Sequence, residues 1–178
     1  MNYVFLADGF EEIEALAIVD ILRRCGIETK TVSITDAPVV NGTHGVPVTA
    51  DITLSEADLE GAAALILPGG LPGADNLQAC DVLNKALVKA FEDGRFVAAI
   101  CAAPKVLGAL GILNGKKATC YPGVEGQLTG ATYLTDAVVR DGNLITSRGP
   151  ATAISFAFAL AEALGADFMP VYNGMLYR

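Results

Sequence analysis

Two side chains in this sequence are of the right type, and in the right place, to do chemistry together: Cys101 and Glu14. Cys101 closes the apolar run Phe96-Val97-Ala98-Ala99-Ile100 and is followed at once by Ala102-Ala103-Pro104, where a helical pattern to Leu110 begins. A strand that passes straight into a helix needs a tight turn, and the alanines on either side let it close. The same logic holds the serine of G-x-S-x-G hydrolases on a strained elbow. Pro104 suits a helix's first turn, where its missing N–H costs nothing. A thiol over a helix start faces unpaired N–H groups and the positive end of the dipole. The expectation is a pKa below the free value of about 8.5 and a nucleophilic thiolate. The plainer account of a lone cysteine is a small buried apolar residue. It is preferred for Cys25, Cys80 and Cys120, which stand at no such junction.

Glu14 belongs to the run Gly9-Phe10-Glu11-Glu12-Ile13-Glu14. Carboxylates in a first helical turn favour the dipole, which is reason enough for all three. Glu14 alone shares a helix face with Ile18, Ile21, Leu22 and Cys25. It is expected to point inward, where burial raises a carboxyl pKa. Beside a thiol, such a carboxyl accepts or shares the proton. A nucleotide or flavin phosphate at this acidic turn would meet like charge. A third segment, Pro68-Gly69-Gly70, ends another apolar run. Glycine frees the backbone to turn N–H groups toward a ligand. The Gly70 N–H with that of Ala102 would form an oxyanion hole beside Cys101. No G-K-[ST] follows, so this is not a nucleotide P-loop.

The elements that must bring these segments together alternate along the chain. Buried-strand patterns cover 3–7, 63–67 and 96–100, and 28–34 alternates like a strand; helical patterns cover 11–25, 80–92, 102–110 and 151–164. Hairpins are expected within 39–49 and 137–146, with turns at Asn41-Gly42, His44-Gly45 and Asp141-Gly142-Asn143. Such alternation implies an α/β fold: a mostly parallel central sheet with helices on both faces, in three layers. Ligands bind beyond the carboxyl ends of such strands, so 9–14, 68–73 and 101–104 should converge there. No repeat or linker divides the chain, and residues 1–178 are read as one domain.

A net charge of −8 disfavours nucleic acid and anionic membranes as partners. The start lacks a basic leader and no uninterrupted apolar stretch would span a bilayer, so a cytoplasmic location is expected. With His44 the only histidine and four scattered cysteines, no metal site is expected.

These motifs in this order resemble the DJ-1/ThiJ/PfpI superfamily, and more closely its DJ-1-like branch. The likeness is carried by 9–14, by Val19-Asp20-Ile21-Leu22-Arg23-Arg24 and by Leu67-Pro68-Gly69-Gly70-Leu71-Pro72-Gly73. Ile100-Cys101-Ala102-Ala103-Pro104 and Ile145-Thr146-Ser147-Arg148-Gly149-Pro150 complete it. It implies a flavodoxin-like sandwich that assembles as a homodimer. It also implies a nucleophilic, oxidation-prone Cys101 hydrogen-bonded by Glu14, with Gly70 and Ala102 as backbone donors. Activities assigned in the family are glyoxalase III-like, protein deglycase, chaperone and oxidative-stress sensing. In one respect the chain departs. Tyr121 stands where many members have a histidine near the cysteine, and a phenol titrating near about 10 cannot replace imidazole as a base. His44 falls where the family often has arginine; a structural or subunit-contact role is expected, with an approach to the site from a partner chain left open. Gly69, Tyr121 and His44 are thus further candidates around a Cys–Glu dyad. The function implied is cofactor-independent chemistry on small α-oxoaldehydes or their adducts. The alternative is a redox sensor or chaperone that uses oxidation of the same cysteine. A cysteine peptidase is the weakest reading, because the partner histidine is missing.

Overall fold

The computed structural model describes residues 1–177. The first half of the chain forms β1 (Asn2–Leu6), α1 (Glu12–Arg24), β2 (Thr29–Ser33), β3 (Val39–Asn41), β4 (Pro47–Thr49), β5 (Ile52–Thr53), β6 (Ala64–Leu67), α2 (Gly73–Gln78) and α3 (Asp81–Glu92). The second half adds β7 (Phe96–Ile100), α4 (Pro104–Ala109), β8 (Lys117–Ala118), β9 (Thr132–Tyr133), β10 (Val138–Asp141), β11 (Leu144–Ser147), α5 (Ala153–Ala163) and α6 (Met169–Gly174).

Seven strands make the central sheet in the order β10-β11-β7-β6-β1-β2-β5. All pairs are parallel except β10 with β11, the expected hairpin. Because successive strand side chains point to opposite faces, each central strand feeds two cores. Tyr3, Phe5, Leu65, Leu67 and Val97 meet Leu83 and Leu87 of α3 and Val106 and Leu107 of α4. Val4, Leu6, Ile66, Ala98 and Ile100 meet Ile18 and Leu22 of α1 and Phe156 and Leu160 of α5. Strands covered on both faces are apolar throughout rather than alternating, which is why β1 and β6 are buried at every residue. This is the three-layer, flavodoxin-like α/β sandwich expected from the sequence.

The site depends on strand order. β6 lies between β1 and β7, so the segments leaving their carboxyl ends are neighbours. In α1, the Glu11 side chain accepts the Ile13 N–H and caps the start; Gly26, at φ +74°, follows the last turn. The apolar stripe of α1 then sets the direction in which Glu14 points.

Other elements differ from expectation. The helix after Cys101 begins at Pro104, with Cys101 to Ala103 forming a turn of their own. α5 begins at Ala153, after a 3₁₀ turn over Pro150–Thr152. α2, β5, α6 and the small parallel pair β8–β9 are additions. α2 contains Gly, Asp and Asn, all poor helix formers, and tertiary contacts hold it. Ala74 and Leu77 are buried, Asn76 donates to the Asp8 carbonyl at 2.8 Å, and Asp75 pairs with Lys105.

Candidate active site

At the end of β7 the backbone turns so sharply that Cys101 has φ +64°, a left-handed value that side chains with a Cβ rarely adopt. Such a residue costs on the order of 1–3 kcal/mol and persists only where its surroundings over-determine it. Here the Cys101 N–H donates to the Ser147 carbonyl at 2.9 Å, and its own carbonyl accepts the Tyr121 N–H at 2.9 Å. Two segments distant in sequence thus hold the elbow.

Glycine at 69 is a steric requirement. A methyl group there would lie 2.6 Å from Cys101 Cβ and 2.7 Å from Glu14 Oε2. Gly70 has φ +90°, and a Cβ on it would come within 2.5 Å of the Glu11 nitrogen. The exit of β6 therefore runs bare backbone between the cysteine and the start of α1. Glu14, fully buried, accepts the Gly69 N–H on Oε2 at 2.7 Å. Its Oε1 is buried with no nitrogen or oxygen partner among the described residues, and the same carboxyl is hydrogen-bonded to the Cys101 thiol.

Burial drives the electrostatics of the pair. It pushes the Glu14 carboxyl up to about 7, against the pull of its bonds to Cys101 and Gly69. The Cys101 thiol is pushed up to about 12, first by burial and then by the charge of Glu14 and the bond to it. The N–H groups of Gly70 and Ala102 act the other way, stabilising the thiolate. The lowered thiol pKa expected from the sequence is therefore wrong for the resting site. The helix starts three residues too late to put its full N-terminus under the sulfur, and desolvation outweighs two amide donors. Part of the rise is the charge of Glu14 itself, and it disappears when Glu14 takes up the proton.

Beyond the sulfur lies an open cleft of about 410 Å³, lined among others by Cys101, Ala102, Gly70, Tyr121, Glu11 and His44. Gly70, Ala102, Glu14 and Gly69 thus gather around Cys101 as the sequence suggests. Tyr121 lines the cleft, half-exposed, and its structural tie to the elbow is its backbone N–H rather than its phenol. His44, for which a structural or subunit-contact role was expected with an approach to the site from a partner chain left open, lines the cleft from its own chain. Its backbone N–H donates to Glu12 Oε1 at 2.8 Å, and its Nδ1 is 2.9 Å from Glu12 Oε2. These carboxylates raise the His44 pKa. Cys120 is buried and its thiol is pushed up to about 11, chiefly by burial; Cys25 and Cys80 do not line the cleft.

Sequence reasoning missed that Glu11 and Glu12 face His44. The signal was available only as an acidic pair and a lone histidine 32 residues further on. Bridge pairing of Phe10 with Gly42 brings the β3–β4 hairpin over the start of α1.

Fold and site together define a class, an α/β sandwich with a cysteine on a strand-end elbow and a glutamate delivered from the first helix. The model of the DJ-1/PfpI family matches residues 2–163, and the chain belongs to that family. Among curated relatives, "Protein DJ-1 homolog B" and "Protein DJ-1 homolog A" of Arabidopsis thaliana are each 41% identical over 89% of this chain. The matches span only 37% and 41% of those relatives' own length. A "glutathione-independent glyoxalase" of Caenorhabditis elegans is 35% identical over 86% of this chain and 82% of its own. A "deglycase" of Pyrococcus horikoshii is 33% identical over 85% and 92%. The crystal structure of Drosophila melanogaster DJ-1beta superposes with a TM-score of 0.95 at 36% identity, covering 99% of this chain and 97% of the other. An oxidized Toxoplasma gondii DJ-1 gives 0.94 at 35% identity, covering 99% and 97%. No helix among the described residues is long and apolar enough to cross a membrane.

Proposed function

We propose that the protein converts small α-oxoaldehydes, such as methylglyoxal, or their adducts with amines and thiols, using Cys101 and Glu14 and no cofactor. The observation that carries the reading is a buried carboxyl, held by Gly69 and bonded to the elbow thiol, beside two N–H groups aimed at the sulfur. The names of the glyoxalase and deglycase relatives support it. The thiol rests protonated, so the nucleophile forms as its proton passes to Glu14. Sulfur then bonds to the aldehyde carbon, and the carbonyl oxygen takes a proton to give a hemithioacetal. Glu14 next removes the hydrogen from that carbon and returns a proton at the neighbouring ketone carbon. The result is a thioester of lactate. Water cleaves it to lactate and the free thiol, so the net change is addition of one water with no oxidant. The Gly70 and Ala102 N–H groups offer hydrogen bonds to negative charge developing at the attacked carbon.

The test is lactate formed from methylglyoxal, after removal of contaminating thiols, by the wild type and by Cys101→Ser. The expected loss in the variant exceeds about 10³-fold, and activity retained by Cys101→Ser sinks the mechanism.

The same pair supports a second reading, a redox sensor or redox-regulated chaperone. A Glu14 carboxyl near 7 keeps its proton in part at neutral pH and can donate it to an oxidised Cys101 sulfur. The oxidized relative from Toxoplasma gondii accords with it. Mild peroxide should then add oxygen selectively at Cys101 by mass spectrometry; even labelling of all four cysteines would remove this reading. A cytoplasmic location suits both, since all four cysteines are free. A homodimer belongs to the proposal as well, because Ile13 and Leu16 of α1 and the nearby Val46 are apolar and exposed.

A further inference from the structure

At the mouth of the Cys101 cleft, one nitrogen and two carboxylates are arranged around a common point. His44, Glu11 and Glu12 each offer one ligand atom, and all three atoms lie within 4.8 Å of one another. The two carboxylates are used in the same way. Glu11 Oε1 accepts the Ile13 N–H, and Glu12 Oε1 accepts the N–H groups of His44 and Val46. Each keeps Oε2 for the imidazole side, 3.4 Å and 2.9 Å from His44 Nδ1 respectively. Glu11 is more than nine-tenths buried, and its Oε2 accepts no hydrogen bond among the described residues. Among the described residues, no lysine or arginine pairs with either carboxylate. Two nearly buried carboxylates side by side repel one another, and a cation held between them relieves that repulsion.

We propose that Glu11, Glu12 and His44 form a binding site for a divalent first-row transition metal, with zinc as the leading candidate. Zinc bonds to imidazole nitrogen and carboxylate oxygen are about 2.0–2.2 Å long. In tetrahedral geometry this places ligand atoms roughly 3.4 Å apart. The Glu11–His44 separation already has that value, and the Glu12–His44 separation needs to widen by about half an ångström. His44 can supply the movement, since its side chain is 71% exposed and tethered only at its backbone and Nδ1. A nitrogen ligand with only two carboxylates favours zinc, cobalt or nickel over calcium or magnesium, which call for oxygen ligands in greater number. Three protein ligands leave a fourth position to water, on the side open to the cleft. The site is independent of the Cys101–Glu14 reaction and requires neither residue.

The experiment is titration of the full chain with zinc, and separately with cobalt, in the wild type, His44→Ala, Glu11→Gln and Cys101→Ser. One equivalent should bind saturably. Affinity should fall at least tenfold in His44→Ala and in Glu11→Gln and stay unchanged in Cys101→Ser. The cobalt complex should show d–d absorption without a thiolate charge-transfer band. Binding lost in Cys101→Ser but kept in His44→Ala would put the metal on the thiol and overturn the proposal. Absence of saturable binding in the wild type, with the fold intact by circular dichroism, would overturn it equally.

Discussion

The starts of α1 and α4 stand over the same end of the sheet and are built from opposite materials. α1 opens with Glu11, Glu12 and Glu14 packed into the protein. α4 opens at Pro104, after Cys101-Ala102-Ala103, with no charged side chain in that stretch before Lys105. The acidic start brings the charge, and the apolar start brings the nucleophile and the strain. Between them runs the glycine backbone of β6's exit, thin enough for Glu14 to touch Cys101. The contrast teaches that a reactive thiol need not have its pKa lowered where it sits. It can be kept protonated by apolar surroundings while its base arrives from another helix.

Thickening the partition breaks this arrangement most severely. Gly69→Ala sets a methyl against both Cys101 Cβ and Glu14 Oε2. The expected cost is about 1–3 kcal/mol of stability, with a roughly hundredfold fall in lactate formation from displacement of the pair. Denaturant unfolding and the lactate assay read the two effects; wild-type values for both would mean that the partition has slack.

Changing the charge on one side sharpens the contrast. Glu14 titrates at 4.5 when exposed and near 7 in the fold, so the folded chain holds the proton more tightly. That contribution to stability is complete below the unfolded value and is lost as pH rises through about 7. Glu14→Gln carries no such penalty. Between about pH 4 and pH 9, with chelator present, it should gain about 3 kcal/mol relative to wild type in urea unfolding. A pH-independent difference would show that the buried charge carries no cost.

The mildest change touches the cleft wall. Tyr121→Phe removes the hydroxyl and keeps the backbone N–H that holds the elbow. Stability should move by less than about 0.5 kcal/mol and the rate by no more than about twofold. A large fall in rate would mean that the phenol does the work of the histidine it replaces.

What could be read in advance follows the same division. The strands other than β5, β8 and β9, together with α1, the elbow and the inward turn of Glu14, were legible because each depends on local periodicity or on a residue type at a junction. The rest needed partners. α2 was hidden by its Gly73, Asp75 and Asn76, whose weak propensity is overridden by contacts with Asp8 and Lys105. β8 and β9 have two residues each and exist only as a pair. The direction of the Cys101 pKa was misjudged because desolvation is a property of the assembled core. His44 could not be assigned to its own cleft without the hairpin that folds over α1.

The elbow's two backbone ties have a consequence for how the chain is made. Cys101 donates to Ser147, the last residue of β11, and accepts from Tyr121. During synthesis the cysteine therefore leaves the ribosome well before the residues that bend it. A nascent chain halted after α4 would carry the thiol but neither tie, and a truncation before β11 would lack the Ser147 carbonyl. The bend that sets Cys101 beside Glu14 therefore arises only after the residues through Ser147 have been made, and a shorter chain carries the thiol without the elbow.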